Sequence, residues 1–147
     1  MLTIWLALHS STADDRAVQV VIDRWVSSTL SLDIQGQLSC YAPRLTKFYR
    51  LTNVDFADVA KNKREAFDQF SEARTYRLRN LTFEHLDAHE ARVVFDKDWD
   101  FRNRVKNRRF AGSGRQRLTL KLLGKGWLIT GEEELAVYTV TGSVSAR

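Results

Sequence analysis

Residues 92–101 read RVVFDKDWDF, and this stretch decides the fold class. Val93, Phe95, Trp99 and Phe101 fall on one face, and Val94, Asp96, Asp98 and Asp100 on the other. A period of two is that of a strand with one buried and one polar face. Lys97 breaks the rule, as a cation on the apolar phase. Upstream, Tyr76 and Leu78 are out of phase with Leu81 and Phe83. A bulge near Arg79–Asn80 would put all four on one face and bend the strand. Leu86 to His89 reads as a turn. Downstream comes a basic loop over 102–114, ending in Gly112-Ser113-Gly114. Leu118, Leu120 and Leu122 then mark a strand, and Gly124-Lys125-Gly126 a tight turn. Trp127 to about Tyr138 forms the last strand, with Gly131 as a kink.

Ahead of the strands the period is helical. Val18, Val21, Ile22 and Trp25 make one buried stripe on a helix over 14–30. A short helix follows over 32–41, interrupted by Gly36, and then a short strand over 44–50. The third helix starts at Asp55 as N-cap, with Asp58 completing a capping-box variant and Val54 and Val59 a hydrophobic staple. Its buried face runs through Phe56, Val59, Ala60, Phe67 and Phe70 to about Ala73, with Lys63 snorkelling out of the stripe. Helices first and a hairpin-linked meander after give an α+β domain, with the N-terminal helices packed on a strongly curved antiparallel sheet. The divisions are an N-terminal extension over 1–13, the domain over 14–140 and a polar tail over 141–147.

A length of 147 residues with 44% hydrophobic and 28% charged side chains suits one globular domain rather than a disordered chain. Cys40 is the single cysteine, so a disulfide-stapled scaffold is excluded; burial as a small apolar side chain is its expected role. No stretch reaches the ~20 apolar residues of a membrane span. The run Leu2 to Leu8 is read as an added strand or helix turn over the core. His85 and His89 flank a turn rather than sharing a helix face, so no metal site is expected there.

The motifs Phe48-Tyr49-Arg50, Asn53-Val54-Asp55, Lys63-Arg64-Glu65-Ala66-Phe67 and Val94-Phe95-Asp96-Lys97-Asp98-Trp99 resemble bacterial domains of the nuclear transport factor 2-like superfamily. So does the closing run from Gly126 to Glu133. The resemblance covers roughly residues 14–140, about the size of one domain. It implies a cone, with helices closing a curved sheet over a pocket. The subgroup it most resembles occurs as an accessory domain of bacterial multi-domain proteins, some of them related to the cell wall. Such domains bind partners or small ligands. The superfamily also holds enzymes, among them ketosteroid isomerase, scytalone dehydratase, limonene epoxide hydrolase and polyketide cyclases. These work with Asp, Tyr, His or Arg inside the cone. The carboxylates Asp96, Asp98 and Asp100 are expected to point the other way, which departs from the isomerase pattern and leaves the catalytic residues unassigned.

Three function classes follow. The first is a non-enzymatic module binding a small ligand or a protein, with self-association as a homodimer through the outer sheet face. The second is a small-molecule enzyme of the ketosteroid isomerase or polyketide cyclase type. For both, the pocket candidates are Trp25, Tyr41, Tyr49, Lys97, Trp99, Trp127 and Glu133. Lys97 and Glu133 stand on apolar phases of strands separated by one neighbour, which starts them roughly 10 Å apart on the concave side. The third class is an anion binder using Arg102, Arg104, Arg108, Arg109 and Arg115. Phe110 is the one aromatic in that segment, so base stacking has little support and nucleic acid is not expected. No cofactor is expected. The compartment stays open between bacterial cytoplasm and cell envelope.

Overall fold

Two periods of hydrophobicity divide the chain, and the computed structural model, which describes residues 13–124 and 126–142, follows them. Helix α1 spans Ala13–Leu30 and α2 Ile34–Leu38; strands β1 (Arg44–Phe48) and β2 (Leu51–Asp55) precede helix α3 (Phe56–Asp68). Strands β3 (Phe70–Leu86), β4 (Glu90–Asn103), β5 (Arg109–Leu123) and β6 (Gly126–Thr141) complete it. The extension before Ala13, Lys125 of the Gly124 turn, and residues 143–147 of the tail lie outside the described residues.

The sheet has six strands in the order β2-β1-β6-β5-β4-β3. β3 to β6 form the expected meander. The addition is the hairpin β1–β2, which joins β6 in parallel with Lys47 opposite Gly131. The sequence reading had one short strand there. Tyr49 turns the chain between them with positive φ, and Asn53, inside β2, has the same sign. α3 ends sooner than expected, and Phe70 opens β3 instead of closing the helix face. Phe56 is 36% exposed, so the helix buries Val59, Ala60 and Lys63. Asp55 caps α3 by accepting the Asp58 N–H at 3.0 Å, and Asp33 caps α2.

Curvature comes from extra residues on one strand of a pair. β3 carries four register shifts against β4, including the one between Arg79 and Thr82, where Asn80 has φ 54°. Leu78, Leu81 and Phe83 therefore all lean on the core with Tyr76. β6 carries three shifts against β5, the first leaving Thr130 unpaired between Ile129 and Gly131. The 102–114 segment is mostly strand, so Gly112-Ser113-Gly114 pairs with β4 and β6 rather than ending a loop. Gly112 is required there: a Cβ would meet the Thr139 carbonyl oxygen and the Trp99 ring at 2.4 Å each.

The core lies between α1 and the concave face. Trp25 is fully buried, with its ring 5.4 Å from Tyr76 and 6.1 Å from Phe95. Each such side chain contributes about 1.5–3 kcal/mol by leaving water. On the convex face the aspartate row is matched from both flanking strands. Asp98 takes Arg79 at 2.8 Å and Arg77 at 2.9 Å, Asp100 takes Arg109 at 3.1 Å, and Asp96 takes Arg115 at 3.6 Å. No helix among the described residues is long and apolar enough to cross a membrane.

Candidate functional site

The Thr130 bulge decides which glutamate enters the cone. Alternation carried through Gly131 places Glu133 inside; the extra residue advances the phase by one, so Glu132 is buried (1% exposed) and Glu133 faces out. Glu133 lies 3.5 Å from Arg117, its partner across the β5–β6 ladder. The expectation that Glu133 reaches the concave side with Lys97 is thus corrected: Glu132 takes that place, at the centre of a larger network.

Glu132 accepts from four donors brought by four elements. The Tyr41 hydroxyl, just after α2, donates to Oε1. Oε2 accepts from Tyr49 at 2.6 Å, Lys63 of α3 at 2.9 Å and Gln116 of β5 at 3.2 Å. Trp25 Nε1 donates to the Tyr41 hydroxyl at 2.9 Å, which fixes the direction of that relay. Burial pushes the Glu132 carboxyl up, but Lys63 and the two tyrosines outweigh it and hold the group below the usual carboxylate range. Burial, reinforced by Glu132, keeps Tyr41 and Tyr49 far above the ordinary phenol range, so both remain neutral donors. Tyr49 reaches Glu132 from a left-handed backbone conformation (φ 54°), uncommon for so bulky a residue. Its N–H also donates to the Glu132 carbonyl at 2.7 Å.

Beside this network opens a cavity of about 220 Å³. Its walls are mainly aromatic: Phe70 stacks on Phe101 at 4.6 Å and on Phe110 at 6.0 Å, with Phe67 and Trp99 alongside. Lys97 enters from β4 and donates to Gln116 Oε1 at 2.6 Å. Its ammonium lies 5.2 Å from the Trp99 ring centre and 5.6 Å from that of Tyr76. Burial lowers its pKa to about 8; Glu132 and Glu134 oppose the shift, and Lys63 adds to it.

Two of the described lining residues each carry a buried polar atom without a partner. Thr29 donates its hydroxyl hydrogen to the Trp25 carbonyl at 2.8 Å, so it accepts from Gln37 Nε2 at 2.9 Å. That leaves Gln37 Oε1 buried without a donor. Trp99 Nε1 is likewise buried without an acceptor. An orphaned buried polar atom costs about 1–3 kcal/mol, so two on one cavity need a reason.

Of the seven expected pocket residues, Tyr49, Lys97 and Trp99 line the cavity. Tyr41 stands behind it, holding Glu132; Trp25 and Trp127 are core side chains that do not reach it. Gln37, Lys63, Gln116 and Glu132 were missed. Gln116 had a legible signal, since it shares the phase of Leu118 and Leu120. Of the five expected anion-binding arginines, Arg109 and Arg115 are tied to the aspartate row. Arg102 and Arg104 donate to the Asn107 and Phe70 carbonyls, and Arg108 is exposed. They do not converge on one point. A roomier groove between α1 and β3, about 390 Å³, has none of the unpartnered buried atoms in its lining.

No protein-family model and no curated protein matches the sequence. Solved structures do match. A proposed aromatic ring hydroxylase from Novosphingobium aromaticivorans aligns over 88% of this chain and 93% of its own, with TM-score 0.75 and 18% identity. A proposed scytalone dehydratase from the same organism aligns over 89% and 88%, with TM-score 0.75 and 10% identity. A nuclear transport factor 2-like superfamily protein from Salmonella enterica aligns over 90% and 96%, with TM-score 0.71 and 16% identity. At such identities the likeness establishes the fold.

Proposed function

We propose that this chain, which carries the nuclear transport factor 2-like cone fold, is a non-enzymatic module whose cone binds one small, ring-sized molecule. The observation that carries the reading is the coincidence of a half-buried lysine and two orphaned polar atoms, Gln37 Oε1 and Trp99 Nε1, among the residues that line one aromatic-walled cavity. Ligand sites have this composition, apolar walls with a few placed polar groups. A cavity of about 150 Å³ holds benzene, so this one has room for a substituted ring. The absence of catalysis is supported by the state of the carboxylates: Glu132 is saturated by donors, and Asp96, Asp98 and Asp100 are engaged on the far face.

Titration of the purified chain with a panel of single-ring compounds, followed by tryptophan fluorescence, tests the reading. Saturable responses are expected, and Ala66→Phe, which fills the cavity from α3, abolishes them. Responses that survive Ala66→Phe, or none from any compound, would rule the cone out as a binding site. Self-association as a homodimer is a separate proposal. Leu135, Val137, Tyr138 and Val140 are all more than 40% exposed along the end of β6, and light scattering reads whether they pair two chains.

A further inference from the structure

The proposed cavity is asymmetric in charge and in hydrogen-bonding sense, and that asymmetry selects a ligand. Four charged groups stand on or beside it: Lys63, Lys97, Glu132 and Glu134. Glu132 is matched by Lys63 at 2.9 Å and takes three further hydrogen bonds, so it has little left to offer Lys97. Glu134 is an exposed rim residue, where water screens it. The Lys97 ammonium therefore has no ion-pair partner among the described residues; its one hydrogen-bond acceptor is the neutral Gln116 amide. An ammonium has three donors, and two remain. The unpartnered Trp99 N–H is a further donor, two residues along β4 on the same face. The unpartnered acceptor, Gln37 Oε1, comes from α2, on the helical side of the cone.

We infer that the cone takes a single-ring hydroxy-acid, with its carboxylate at Lys97 and Trp99 and its hydroxyl at Gln37. This rests on the ligand-binding reading above and names the substrate class for the same site. A carboxylate supplies the acceptors that the ammonium and the indole N–H lack, and it carries the single negative charge that balances Lys97. The ring is left to the apolar part of the lining, the stacked Phe70, Phe101 and Phe110. A hydroxyl donor satisfies Gln37 Oε1, which the Thr29 relay holds in one orientation. The Trp99 and Tyr76 rings flank the ammonium and keep it pointed into the cavity.

Calorimetry near neutral pH with 4-hydroxybenzoate, benzoate and 4-hydroxybenzamide tests the assignment on the full chain. The acid should bind about tenfold or more tighter than its amide, as a hydrogen bond to a charged group implies. Lys97→Met should erase that preference while still binding the amide; Lys97→Gln serves the same purpose if the methionine variant does not fold. Gln37→Met should erase the advantage of 4-hydroxybenzoate over benzoate and leave the preference for acid over amide. Equal binding of acid and amide, or a preference that persists without Lys97, overturns the hydroxy-acid and leaves the ligand-binding cone standing. If none of the three probes binds, both readings fail together.

Discussion

At the scale of single residues, the cone holds two lysines with opposite relations to charge. Lys63 is paired with Glu132, and Lys97 is left with an amide. The pair should behave as structure. Because the Glu132 carboxyl is held below its usual range, the folded chain keeps it ionised more readily than the unfolded chain does. That stabilisation is in force above the unfolded carboxyl range and is lost as pH falls through the folded value. Glu132→Gln should therefore cost about 3–5 kcal/mol near neutral pH, because Lys63 is left buried and unpaired. The deficit should shrink in acid. Urea unfolding at the two pH values measures it, and a deficit that does not change with pH would count against an ionised Glu132.

Single residues also show where the sequence was legible. Lys97 stood out as a cation on an apolar phase and does line the cavity. Glu132 was hidden by one unpaired residue, Thr130, because alternation can be read along a strand but not across an unmarked bulge. Gln37 was hidden for another reason: its importance lies in an oxygen that lacks a partner, and only packing reveals that.

At the scale of elements, the bulges shape the sheet that the helices close. The one near Asn80 was legible because four large apolar side chains demanded a common face, whereas Thr130 lies where the flanking residues fit either phase. The hairpin β1–β2 was read as one strand, since Tyr49 makes the turn at positive φ without a glycine to mark it. The pairing of β4 with β5 places Gly112 directly beneath Trp99. Gly112→Ala should displace that indole and push the β6 backbone at Thr139, with a cost of roughly 1–3 kcal/mol. It should also weaken binding at the cone, although residue 112 is not part of the cavity lining. Denaturation together with probe binding checks this; an unaltered affinity would mean that the Trp99 N–H is not part of the site.

At the scale of the whole molecule, the fold has divided its charges between two faces. The convex face spends its aspartates and arginines on one another, and exposed pairs of that kind contribute little each, about 0.2–1 kcal/mol. Among the described residues the concave face keeps one cation, Lys97, without an ion-pair partner, at a cost to stability. Charge counting in the sequence found the cluster of arginines but not its dispersal, because partners on β3, β4 and β5 meet only when the sheet forms. On the proposal above, Lys97 is held for a ligand and not for the fold. A half-buried lysine whose pKa falls from 10.5 to about 8 destabilises the folded chain wherever it is charged, by as much as about 3 kcal/mol. Deprotonation relieves that cost between the folded and the unfolded values. The decisive measurement is urea unfolding of the wild type and of Lys97→Met from about pH 7 to about pH 10. The wild type should gain on the variant as pH rises. A wild-type advantage at neutral pH that fades on raising the pH would contradict it, since that is the sign of a lysine bound in a structural ion pair.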